Sequence, residues 1–348
     1  MKEGAPIPLQ DLRVQKRQQE RPAFRDETEG AFEKRRISTP EDRKEMDTKL
    51  NLLSDLLSGA PVRWQLDGAL NISLLKGDYI GVHKDVDLFV EPEDLEALEE
   101  HLYKQGYAFF LTVGHEDPNK KGMVWATASE IREAKEDRSL VAIDAKGEIN
   151  FDHPLNFIDI HLVKRNVEGK PLGYEQVQLP ESWYMPKPFT YQGKKFFLSH
   201  PAKLAYFKLH YGRPYDLVDL QELAATGTLT LEDMDTIEEI LRKEEEIAKQ
   251  CIESVVRRVA PQIKKGMTGE RLYQIFSADP EISARLKTKK DEEEARALMD
   301  RLTSETDLEE ESLQRFFENI TQQKNTFSTR QQHLLSLRKA VEKVLSPI

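Results

Sequence analysis

Apolar residues recur along this chain in two rhythms, and the change from one to the other divides it. The first 37 residues are polar, rich in Arg, Gln and Glu, and carry no sustained period, which reads as a mobile arm. Thr39 then has the form of an N-cap, with Pro40 at the first helical position and Asp42 in the first turn. The helix it opens runs through Leu50, Leu52, Leu53, Leu56 and Leu57 to Gly59. Val62 to Gly68 reads as a short strand entering a glycine turn, and residues 69–75 as a short helix. A strand follows at about 84–90. A helix through Leu95, Leu98 and Leu102 comes next, closed at Gly106, and then a strand over 107–113. Residues 114–122 read as a turn, further strands are expected near 123–127, 139–144 and 157–163, and Phe189–Leu198 reads as a hairpin centred on Gln192-Gly193.

Beyond Ser199-His200-Pro201 the period becomes helical and stays so. One long helix is expected over 231–260, carrying Leu231, Met234, Ile237, Leu241, Ile252, Val255 and Val259 and closed by Pro261. A second is expected over about 306–345, with Leu313, Phe316, Phe317, Ile320, Leu334, Leu337, Val341 and Val344. The charged run KTKKDEEEAR between them reads as a solvated helix face. The pattern therefore predicts an α+β protein: an arm over 1–37, a mixed-sheet catalytic domain with flanking helices over 38–200, and an all-α region over 201–348.

Composition narrows this picture. A chain of 348 residues can bury a sizeable core, and no apolar run approaches the length of a membrane span. The first residues lack the apolar stretch of a secretion signal, so a cytoplasmic location without membrane partners is expected. The single cysteine, Cys251, excludes an internal disulfide and a cysteine-based metal cluster. A formal charge of −11 argues against a DNA-coating role.

The chemistry gathers on His83-Lys84-Asp85-Val86-Asp87-Leu88-Phe89-Val90. Side chains alternate along a strand, so Asp85 and Asp87 share one side while Val86, Leu88 and Val90 take the core side. Two carboxylates so close repel unless a proton or a cation lies between them, and hard oxygen donors suit Mg²⁺ or Mn²⁺. Phe157-Ile158-Asp159-Ile160-His161-Leu162 alternates in the same way, placing Asp159 and His161 on one face. Were the two strands neighbours, three carboxylates would converge into a site for divalent metal, and Asp159 would be placed to take a proton. His161 reads as a polar neighbour, because carboxylates suffice for Mg²⁺. Gly68 at the end of its strand lets backbone N–H groups approach a phosphate. His83 and Lys84 are candidates for phosphate contact or plain loop residues.

These residues, in this order, carry a resemblance. Leu66-Asp67-Gly68-Ala69, then Asp85-Val86-Asp87-Leu88, then Ile158-Asp159-Ile160 resembles the nucleotidyltransferase fold of the DNA polymerase beta superfamily. The segment from Glu93 to Tyr107, then His200-Pro201 to Lys208, then Arg213 to Leu220 is similar to antibiotic nucleotidyltransferases of the aminoglycoside and lincosamide types. It is similar also to the nucleotidyltransferase toxins of type IV abortive-infection systems, which toxin–antitoxin pairs use. The resemblance spans about residues 45–225.

It implies a nucleotidyltransferase that passes a nucleoside monophosphate from a nucleoside triphosphate, most simply ATP, to a hydroxyl acceptor with release of pyrophosphate. Mg²⁺ or Mn²⁺ would sit on Asp85, Asp87 and Asp159. Gly68 and Ala69 would bind nucleotide phosphate with Lys208. Arg213 and Asp216 would link the helical region to the catalytic half. The acceptor is either a small hydroxylated molecule or an RNA end or protein side chain. Ala69 departs from the Gly or Ser that relatives carry there, and Asn71 or Ser73 is expected to supply the missing polar group. The competing expectation is a non-catalytic interaction protein that keeps the fold and works through its C-terminal helices.

Overall fold

The computed structural model describes residues 18–20, 39–81, 85–113, 122–134, 137–262, 267–283, 295–297, 299–300 and 327–346. His83 and Lys84, the 114–121 turn, Leu313, Phe316, Phe317 and Ile320, most of the charged run and the rest of the arm lie outside them.

A nine-stranded mixed sheet forms the frame. Its strands are β1 (Gln18–Glu20), β2 (Trp64–Leu66), β3 (Val86–Val90), β4 (Tyr107–Val113), β5 (Gly122–Trp125), β6 (Arg138–Ala142), β7 (Ile158–Leu162), β8 (Lys187–Tyr191) and β9 (Lys194–Leu198). They lie in the order β1-β5-β4-β6-β7-β3-β2-β9-β8. β3 runs parallel to β7 and β2 parallel to β9, while the other pairs are antiparallel. Three residues of the expected arm thus form an edge strand, Gln18–Glu20 against β5.

Helix α1 (Pro40–Leu57) starts as its sequence demands. Thr39 accepts from the Asp42 N–H and Asp42 accepts from the Thr39 N–H, a reciprocal cap. Short helix α2 (Gly68–Lys76) connects β2 towards β3, and α3 (Leu95–Tyr103) lies between β3 and β4. A further short helix, α4 (Ala128–Glu133), is capped by Thr127 and Glu130 in the same reciprocal way as α1. Its T-x-x-E signal stands in the sequence although the apolar pattern does not predict the helix. The β8–β9 turn is at Gln192 and Gly193, both with positive φ (47° and 78°), the twist a two-residue hairpin requires.

Each face of the sheet has its own core. Val86, Leu88 and Val90 point to one side and pack with Leu50, Leu53, Leu98 and Leu102 of α1 and α3. The opposite side carries Asp87 and Phe89 and is covered by the helical half. That half comprises α5 (Pro201–Tyr211), α6 (Pro214–Ala225), α7 (Leu231–Val259), α8 (Gly269–Ser277), α9 (Pro280–Ser283) and α10 (Phe327–Leu345). Ile72 of α2 and Phe89 of β3 belong to the same apolar cluster as Leu204, Leu209, Met234, Leu337 and Val341.

At its centre lies a buried polar knot. The Tyr206 hydroxyl donates to Glu244, His210 Nε2 lies 2.8 Å from the other Glu244 oxygen, and Arg330 Nη1 reaches His210 Nδ1 at 2.8 Å. Arg330 can only donate, so Nδ1 accepts. The knot joins α5, α7 and α10.

Candidate functional site

The parallel pairing of β3 with β7 sets Asp87 directly opposite Asp159. Asp85 immediately precedes β3, and its charge reaches Asp159. Asp87 and Asp159 therefore face one another, with Asp85 near enough for its charge to act on Asp159, and the alternation that buries Val86, Leu88 and Val90 is what turns Asp87 to the other face of the sheet. Burial pushes the Asp159 carboxyl up to about 7, and the Asp87 and Asp85 charges add to it. Ser139 of β6 donates to Asp159 Oδ1 at 2.9 Å and works the other way. His161, two residues on, lies 3.1 Å from Asp87 Oδ1 and stacks on Phe89 with centroids 5.4 Å apart. Burial lowers the affinity of that imidazole for a proton, but the bond to Asp87 together with the charges of Asp87, Asp67 and Asp159 outweighs it and the net shift is upward. Asp87 keeps 32 % side-chain exposure, enough for a ligand to reach it.

The turn before α2 closes the other wall. The Asp67 N–H donates to the Asp87 carbonyl at 2.8 Å, which ties the turn to β3. Gly68 has φ +65°, and a Cβ there would collide with Asp87 Oδ2 and lie 2.9 Å from its Cγ. Glycine is thus required twice, for conformation and for the close approach. Gly68 and Ala69 form the first turn of α2 beside the acids, and both are half-buried.

The remaining expectations fare differently. Lys208 is buried, with its ammonium 2.6 Å from Asp219 and 3.4 Å from Asp216. Burial disfavours its charge, but these two acids win and its pKa rises. Its first partners are those acids, which fasten α5 to α6. Arg213 does not bridge to the sheet: its guanidinium closes on Asp216 at 2.7 Å within the first turn of α6 and lies over Tyr211 and Tyr215. That corrects the expected link between halves, because Arg213 and Asp216, three positions apart on one helical turn, satisfy each other locally.

Asn71 and Ser73 do not replace the missing polar group after Gly68. Asn71 is fully buried and donates to the Leu66 and Ser199 carbonyls, while Ser73 donates to the Ala69 carbonyl within α2.

Sequence reading passed over Lys203. It is fully buried, 3.0 Å from Ser199 Oγ and 3.3 Å from Gln65 Oε1, and its ammonium sits 3.2 Å from the Phe89 ring centre. Burial brings its pKa down to about 8 against the pull of Asp67 and Glu91. A lysine in the apolar stripe of α5 was the available signal, since an unpaired lysine rarely takes such a place.

The donors suit a hard divalent cation: they are oxygen-only, anionic, and crowded enough to raise a carboxyl pKa. As they stand, no three His, Cys, Asp or Glu side chains among the described residues are arranged to hold one ion.

A pH prediction follows from Asp159. The folded carboxyl holds its proton up to about 7, whereas the unfolded one releases it near about 3.9. Folded chains thus bind more protons across that window, so without metal the Asp159 contribution to stability falls as pH rises through it. Thermal melts of the wild type and Asp159→Asn across this range should show the steeper fall in the wild type, since Glu244, which burial pushes up to about 8, contributes equally to both. Mg²⁺ should flatten it. Equal slopes in both proteins would refute the assignment.

The aminoglycoside-2''-adenylyltransferase family matches residues 49–121, the stretch that holds β2, α2, β3, α3 and β4 with Gly68, Asp85 and Asp87. Over that stretch the chain is similar to nucleotidyltransferase enzymes of the antibiotic-modifying type. Among solved structures it is similar to the lincosamide antibiotic adenylyltransferase LnuA with lincomycin bound. Identity is 16 %, over 51 % of this chain and 95 % of that one, with a TM-score of 0.34. It is similar also to an antigenic nucleotidyltransferase-like protein from Paracoccidioides brasiliensis, 14 % identical over 59 % of this chain and 91 % of that one, with a TM-score of 0.32. No curated protein matches the chain. No helix among the described residues is long and apolar enough to cross a membrane.

Proposed function

We propose that this chain transfers a nucleoside monophosphate from a nucleoside triphosphate, most simply ATP, to a hydroxyl acceptor and releases pyrophosphate. The observation that carries the reading is the in-register pairing of Asp87 with Asp159 beside a glycine turn pressed against Asp87. Asp85, Asp87 and Asp159 would hold Mg²⁺ or Mn²⁺, which when bound supplies neutralisation of charge on the transferring phosphoryl group. The first N–H groups of α2, at Gly68 and Ala69, point out of a helix N-terminus, where phosphate is favoured. Asp159 would take the proton of the acceptor hydroxyl, and a carboxyl with a pKa of about 7 is matched to that task. His161 orients the Asp87 carboxylate through its 3.1 Å contact. Lys208 would act on the nucleotide only as part of the Asp216–Asp219 cluster that holds it.

A small hydroxylated molecule is the acceptor class this reading favours. The family that matches is named for adenylylating aminoglycosides, which are cationic, and this chain carries a net charge of −11. The test is incubation of labelled ATP and Mg²⁺ with an aminoglycoside panel, a lincosamide and bulk tRNA, reading label transfer and pyrophosphate. Label on a small molecule supports the reading, and label on tRNA moves the acceptor to RNA. Label on nothing, with equal Mg²⁺-ATP affinity in the wild type and Asp87→Asn, would favour an interaction protein.

A further inference from the structure

We propose that Lys203 is a positioning residue that keeps the phosphate-facing end of α2 open by holding the Asp67 carboxylate away from it. The inference rests on the nucleotide-binding reading above and deepens it. Asp67 is the N-cap of α2, with the extended backbone such residues take (φ −126°, ψ −170°). Aspartate is among the strongest N-caps because its carboxylate accepts N–H bonds from the first turn. Thr39, Thr127 and Thr268 do this at α1, α4 and α8. Asp67 makes no such bond to its own helix.

Its carboxylate faces Lys203 instead. Oδ2 lies 3.9 Å from the Lys203 ammonium, and Oδ1 is buried with no hydrogen-bond partner among the described residues. The ammonium is itself fixed by Ser199, Gln65 and the face of Phe89. A buried, under-bonded carboxylate beside an unused set of N–H donors is costly unless a buried cation compensates it. Lys203 is that cation.

The arrangement leaves the α2 N-terminus, with Gly68 and Ala69 beside Asp87, without the anion its own sequence supplies. A nucleotide phosphate can then take the place that Asp67 does not. Without Lys203, the Asp67 carboxylate would turn onto those N–H groups and compete with phosphate. Lys203 acts through Asp67 and touches no substrate.

The test uses the full-length protein and inorganic triphosphate with Mg²⁺, its affinity read by calorimetry. Lys203→Met should weaken binding about tenfold, the size of a cap and helix-terminus anion effect combined. Asp67→Ala should bind as the wild type does, and the Lys203→Met/Asp67→Ala double variant should recover wild-type affinity. That recovery is what a merely structural lysine would not give. Should Lys203→Met fail to fold, Lys203→Gln, which keeps hydrogen bonds but not charge, takes its place in the same comparison. A Lys203 variant that binds as the wild type does, or a double variant no better than that Lys203 variant, overturns the proposal. A wild type that binds no triphosphate overturns the nucleotide reading, and this inference with it.

Discussion

Asp87→Asn should lower nucleotidyl transfer on the order of a thousandfold, the scale of losing a main electrostatic anchor at a transferring phosphoryl group. The same substitution should leave the metal-free protein as stable as the wild type, or more so. Asp87 faces Asp159 across the parallel pair, and its charge helps to push that carboxyl up to about 7. An amide removes the repulsion while still offering His161 a polar partner at the position of Oδ1. Activity and stability therefore move in opposite directions, the signature of a group kept for function at a cost to the fold. The rise in melting temperature that Mg²⁺ gives the wild type should disappear in the variant. Retention of more than a tenth of wild-type turnover would show that Asp87 is not the anchor.

Gly68→Ala is the second large effect, and it acts through geometry. The residue sits at φ +65°, where a side chain costs about 1–2 kcal/mol. Its new methyl would also collide with the Asp87 carboxylate. Relief can come only by moving the turn or by turning Asp87 away from Asp159, and either displaces a reacting group. A misplacement of that kind costs about a hundredfold in rate. Steady-state turnover and thermal melting should both fall, the first far more than the strain alone explains. A loss confined to stability would mean that the turn lies outside the chemistry.

Much of this site was legible because strand alternation is a strict rule. Once Val86, Leu88 and Val90 are read as core, Asp87 must face the other way, and the same holds for Asp159 beside Ile158 and Ile160. The sequence could not say that β3 and β7 are neighbours, since no local signal encodes which strands pair. That knowledge came from the order of the motifs. Side-chain partners were the hardest to foresee. Lys208 reads as a phosphate contact, and the fold adds Asp216 and Asp219 of the next helix as its partners; Arg213 reads as a link between halves, and Asp216, three residues on, holds it within its own helical turn. Asn71 and Ser73 had suitable groups at suitable spacing, yet backbone carbonyls inside the core needed them first. Lys203 was missed for the converse reason: a charge in an apolar stripe is read as noise until its buried partner is known.

The Tyr206–Glu244–His210–Arg330 knot gives the end of the chain a stake in its beginning. Arg330 lies in α10, yet it holds His210 on the very helix whose first turns carry Lys203. A protease cut or early stop ahead of that helix would strand a glutamate and an imidazole in an apolar seam, and the floor beneath Phe89 and Asp67 would loosen. Trimming this protein down to its mixed sheet would therefore not yield a smaller working catalyst.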